Sequence, residues 1–112
     1  ALDPDTGVVA ALRPGHVFVD MSTSPPGLAR KIAAACEARG VIGLDAPVSN
    51  GGVFVTIGGS REAFDRLEAA FGAMCETVIY AGEAGQGQVA KLVRQYVSYT
   101  GFFTLVEGLL IA

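Results

Sequence analysis

The sequence predicts an α/β domain, a mainly parallel sheet with helices on its faces. Three observations predict it. Short apolar runs alternate with amphipathic ones, which is the pattern of β-α-β units. The loops that follow three of those runs, Met21–Thr23, Ala46–Gly52 and Ala81–Gly87, are rich in Ser, Thr or Gly. Such loops leave the carboxyl ends of strands, where open α/β sheets hold their ligands. Finally, a Gly-rich turn near Gly85 opens a long apolar helix that carries one lysine, Lys91.

Taken in order, residues 7–12 (GVVAAL) predict a short helix that stops before Arg13-Pro14-Gly15. His16–Asp20 (HVFVD) reads as a buried strand. Ser24 is the expected N-cap of the next helix, with Pro25 at its first position. Its apolar face is Leu28, Ile32, Ala35 and Cys36, and Gly40 ends it. Val41–Asp45 is a second strand, followed by the loop Ala46–Gly52. Val53–Ile57 is a third strand. Ser60 caps a helix with the face Phe64, Leu67, Phe71 and Met74. Thr77–Tyr80 is the fourth strand, and the long helix starts near Gln86.

With 112 residues, 51% of them hydrophobic, the chain has enough apolar side chains for a core and is the size of one domain or part of one. A net charge of −3, with scattered basic residues, excludes a nucleic-acid surface. Cys36 and Cys75 show neither metal spacing nor a disulfide framework, and read as reduced, buried thiols of a cytoplasmic protein. The apolar run Val97–Ala112 is short for a membrane span and contains Glu107, so it reads as a buried helix.

Lys91 is the first candidate for chemistry. At about 100° per residue, Gln88, Lys91, Gln95 and Ser98 share one stripe of a helix that is otherwise mostly apolar. A lysine there either snorkels to the surface or pairs with a carboxylate such as Glu83, or it works as a proton donor and acceptor in a desolvated pocket. Gln95 is its neutral hydrogen-bonding neighbour, and Arg94 lies at the stripe's edge as a surface or interdomain charge. Ser22 and Thr23 are free for a ligand. The turn Ser49-Asn50-Gly51-Gly52 offers unhindered N–H groups to a carboxylate. His16 reads as an exposed turn residue. Asp45, before Ala-Pro, reads as a loop anchor. No G-x-G-x-x-G fingerprint and no Walker A loop occurs in these residues.

VDMSTSPP (Val19–Pro26), GLDAPVSNGG (Gly43–Gly52), VTIGGS (Val55–Ser60) and GQGQVAK (Gly85–Lys91) together resemble the β-hydroxyacid dehydrogenase family, which includes 3-hydroxyisobutyrate dehydrogenase and, more distantly, 6-phosphogluconate dehydrogenase. The resemblance implies the second half of a Rossmann-like NAD(P)-binding domain over residues 1–84. Residues 85–112 would then be the first part of a long helix leading to a helical domain. It implies an oxidoreductase that interconverts a small β-hydroxyacid and its semialdehyde or keto acid, with NAD or NADP as cofactor, in a homo-oligomer. By position, Lys91 matches the catalytic lysine. Ser22, Ser49, Asn50 and Gly51 match substrate-binding positions, and Thr23 matches a contact to the nicotinamide end. Gln95 stands where many relatives have a substrate-contacting asparagine. The alternative is a non-catalytic relative that serves as an oligomerisation or partner-binding module. The apolar Val97–Ala112 helix motivates it.

Overall fold

The computed structural model describes all 112 residues. In chain order the elements are α1 (Val8–Ala11), β1 (Val17–Asp20), α2 (Pro26–Glu37), β2 (Ile42–Asp45), β3 (Val48–Ser49), β4 (Phe54–Gly58), α3 (Arg61–Met74), β5 (Thr77–Gly82) and α4 (Gln86–Ile111). A 3-10 turn over Asn50–Gly52 joins β3 to β4.

Two parallel units form the sheet. β1 pairs with β2 from Val17↔Ile42 to Asp20↔Asp45, with α2 as the crossover. β4 pairs with β5 from Phe54↔Thr77 onward, with α3 as the crossover. The units meet where the carboxyl ends of β2 and β4 touch in an antiparallel pair, Asp45↔Gly58. The expected loop Ala46–Gly52 contains the short strand β3, antiparallel to β4 at Val48↔Val55. A connection of four residues, Asn50 to Val53, forces this reversal. Asn50, Gly51 and Gly52 make it with φ of 51°, 65° and 99°, a left-handed run that glycine adopts without strain.

One apolar cluster gathers Leu44, Val55, Ile57, Phe64 and Phe71 between the sheet and α3, and a second packs Val9, Ile32, Cys36 and Val41. The expected helix faces hold except at Leu28 and Met74, which are exposed. The buried stripe of α2 begins at Ala29, and Met74 is the last residue of α3, beyond the turn that packs. Cys36 and Cys75 are free and buried. Burial pushes the Cys36 thiol above its ordinary pKa, because a thiolate there would be desolvated.

Ser24 is not the cap of α2. Pro25 occupies the N-cap without a side-chain bond, and Pro26 opens the helix. Leu28 N and Ala29 N donate to the Pro25 carbonyl instead of to a side chain. Ser60 does cap α3, its side chain accepting from Ala63 N. The larger correction concerns α4. From Tyr96 to its end every residue is exposed, including Phe102, Phe103, Leu109 and Leu110. The run Val97–Ala112 is therefore not covered by this chain, and no helix is long and apolar enough to cross a membrane.

The first turn of α4, in contrast, is wedged against the sheet. A Cβ on Gly87 would lie 2.6 Å from the Thr56 carbonyl oxygen and 2.7 Å from that of Asp45. Gly101 and Gly108, farther along the same helix, have nothing within 4 Å. Gly→Ala in an open helix position stabilises by about 0.5–1 kcal/mol, whereas overpacking against backbone costs about 1–3 kcal/mol or more. Urea titrations of Gly87→Ala, Gly101→Ala and Gly108→Ala should show the first destabilised and the other two slightly stabilised.

Candidate functional site

The site is built at the N-terminus of α4. No side chain of its own caps this helix: Gly85, the N-cap residue, has φ 89°. Asp45 performs the task from the end of β2. Its Oδ1 accepts from Gly85 N at 2.6 Å and its Oδ2 accepts from Gln88 N at 2.9 Å. A carboxylate is well placed here because it meets orphan N–H groups and the positive end of the helix dipole. Asp45 is only 4% exposed, so those bonds compensate its desolvation. Thr56 adds a bond from its hydroxyl to Gly87 O at 2.9 Å.

Two polar side chains of α4 then reach the strand-end loops. Gln88 is fully buried; its amide nitrogen donates to Ser22 O at 2.8 Å, and its oxygen accepts from Ser24 N at 3.1 Å. Lys91, 8% exposed, donates from Nζ to Thr23 Oγ1 at 2.5 Å and to Val48 O at 2.6 Å. It neither snorkels nor pairs with Glu83, for the one ion pair of the chain is Arg61–Asp65. Lysine carries three N–H donors when protonated, so two protein acceptors leave one direction for a ligand oxygen.

Beside Lys91 lies a cleft of about 320 Å³. Ser49, Asn50, Gly51, Lys91, Arg94 and Gln95 line it, with Ser98 farther along the helix. The turn and the stripe singled out in the sequence thus meet at one place. Thr23 joins through its hydroxyl on Lys91. Ser22 is not among the residues lining the cleft and is bonded locally. Its N–H and its hydroxyl both donate to Asp20 Oδ1, the hydroxyl at 2.5 Å. An aspartate two residues upstream commonly captures a serine this way, and it leaves Ser22 Oγ with lone pairs rather than a proton for an anion. Asp45 anchors the long helix rather than its own loop. His16 is exposed, its Nδ1 accepting from Arg13 N at 3.3 Å.

The sequence reading missed the parts played by Asp45 and Gln88, and placed Arg94 at the margin. A signal for Asp45 existed: a Gly-rich helix start without Ser, Thr or Asp leaves N–H groups that a distant carboxylate must satisfy. Arg94 is half-buried in the cleft lining, with its guanidinium carbon 4.9 Å from the centre of the Phe54 ring.

Parallel β-α-β units with glycine-rich loops at their strand ends are the architecture of the nucleotide-binding α/β class. Residues 1–82 match the NAD-binding domain of 6-phosphogluconate dehydrogenase, and the chain belongs to that family. A probable 3-hydroxyisobutyrate dehydrogenase-like protein of Arabidopsis thaliana is 40% identical over 99% of this chain and 35% of its own length. The structure of Mycobacterium tuberculosis 3-hydroxyisobutyrate dehydrogenase with L-serine superposes with a TM-score of 0.74 at 32% identity, over 94% of this chain and 40% of that one. A structure of Psf3 with NADP+ and 2-OPP gives 0.75 at 30% identity, over 82% and 35%. These relatives bear out the β-hydroxyacid dehydrogenase resemblance and the Rossmann-like fold. The chain spans roughly a third to two-fifths of their lengths.

Gln88→Leu keeps the volume but removes both bonds to the Ser22–Ser24 loop. The Ser24 N–H and Ser22 C=O left behind are only part-buried, so their loss costs less than that of a fully buried unpaired group, about 1–3 kcal/mol. Hydrogen exchange should show the Ser24 amide losing its protection, while amides of α3 stay protected.

Proposed function

We propose that the chain forms the acid–base and substrate-holding part of an NAD(P)-dependent oxidoreductase, which interconverts a small β-hydroxyacid and its semialdehyde or keto acid. One observation carries this reading: the buried Nζ of Lys91, held by Thr23 and Val48, stands at the edge of a polar cleft. The loop Met21–Thr23 fits the nicotinamide end of the cofactor. It leaves a strand end, bears the small side chains of Ser22 and Thr23, and places the Thr23 hydroxyl against Lys91. Nothing in these residues has the form of a pyrophosphate cradle. NAD or NADP, when bound, would accept the hydride in the oxidation direction and, in its reduced form, supply it in the reduction direction.

The chain's own residues do the rest. In the oxidation direction, Lys91 takes the hydroxyl proton of the substrate as its carbon loses hydride. In reduction, Lys91 returns a proton to the oxygen, stabilising the developing alkoxide. Thr23 and the Val48 carbonyl fix Nζ in one place, so no reorganisation is required as charge develops. The Asn50–Gly52 turn and Gln95 line the cleft, and their N–H groups and amide serve as holders of the carbon skeleton and its acid group. Free buried thiols suit the cytoplasm.

A second reading is favoured by the uncovered apolar half of α4, which fits a homo-oligomeric or partner-binding module. The two are separable. Lys91→Ala should lower turnover by about 10²–10⁴-fold, the usual worth of a positioned acid–base group, with NAD(P) affinity nearly unchanged in a fluorescence titration. Turnover that survives this substitution removes Lys91 from the mechanism. A protein that binds no nicotinamide cofactor and remains a stable oligomer supports the module instead.

A further inference from the structure

Arg94 has no part in the scheme above, and its surroundings are unusual. The charged side chains that line the Lys91 cleft are Lys91 and Arg94 alone, with no carboxylate among them. Arg94 forms no ion pair with any residue of the chain. Its guanidinium is nonetheless held, lying over Phe54 of β4 at 4.9 Å from the ring centre. Stacking of this kind restrains the planar group while leaving its in-plane N–H donors open. Arg94 follows Lys91 by three residues on α4, so both project from the same face of the helix. The hydroxyl of Ser22, one of the positions the motif would assign to an acid group, donates its hydrogen bond to Asp20.

We propose that Arg94 grips the substrate's carboxylate and makes the cleft selective for acids over their neutral counterparts. This rests on the reading of Lys91 as the acid–base group. A guanidinium presents paired N–H donors that match the two oxygens of a carboxylate, which a lysine or an amide cannot reproduce. Lys91 then meets the hydroxyl or carbonyl oxygen, and Arg94 meets the acid end. With no competing anion in the lining, the pair is completed only by the ligand. Phe54 acts as a positioning residue, since it touches the guanidinium and not the substrate.

The test uses the protein with bound NAD+ or NADP+ and two probes that differ by one methyl group and the negative charge, 3-hydroxyisobutyrate and its methyl ester. Calorimetric titration measures affinity, and initial rates measure kcat and KM. Arg94→Gln should weaken binding of the acid at least tenfold and raise its KM correspondingly, with kcat changed much less and the ester unaffected. Arg94→Lys should recover part of the affinity but not all. Phe54→Leu should raise KM for the acid alone, which a merely structural loss would not do selectively. Equal losses for acid and ester, unchanged acid affinity in Arg94→Gln, or an unmodified protein that does not distinguish the probes would each overturn the proposal. Lys91→Met keeps the two ideas apart. If it binds the acid normally but does not turn over, both stand. If it turns over, Lys91 is misassigned while the Arg94 result still decides its own case.

Discussion

The carboxylate of Asp45 at the start of α4 is the constraint on which the site depends. It bonds two consecutive-turn N–H groups, at Gly85 and Gln88, in a place that water barely reaches. Its removal would leave those donors buried without acceptors, a cost that a neutral side chain of similar size does not offset. The same carboxylate fixes the rotation of α4 about its axis. Lys91, one turn onward, inherits that rotation and so meets Thr23 and Val48. Anchoring and chemistry are therefore linked through a few residues of one helix.

Close packing makes this arrangement unforgiving. Gly58 and Gly87 lie where β4 and α4 converge on Asp45, and a Cβ on Gly58 would lie 2.5 Å from Oδ1 and 2.7 Å from Gly87 N. Side chains would push the helix away from the carboxylate that orients it. These glycines are required by proximity and not by a turn, which distinguishes them from Gly51 and Gly52, whose positive φ reverses the chain.

Much of this was legible in the residues. Periodicity located all the helices and the four main strands, because their apolar spacing reflects the faces that pack. The stripe of Lys91, Gln95 and Ser98 was likewise visible, since a polar line on an apolar helix must meet something polar. What was hidden is contact between segments distant in sequence. Asp45 and Gly85 are 40 residues apart, and no local pattern pairs them. The bonds from Ser22 to Asp20 were not read from the sequence, although the two lie two residues apart. The short strand β3 escaped notice because two residues carry no alternation. The coverage of α4 beyond Tyr96 was expected from hydropathy alone, which reports a need for cover and not its source.

The uncovered half of α4 has a mechanical meaning. A helix of 26 residues extends about 39 Å at 1.5 Å per residue. Anchored at Asp45, it is a lever with a short inner arm and a long outer one. Tilting it by about 5° around that pivot carries the far tip through about 3 Å, yet displaces Lys91 by under about 1 Å. Whatever grasps the outer arm thus acts on the amine through a large reduction in stroke, so coarse movements outside become fine adjustments at Nζ.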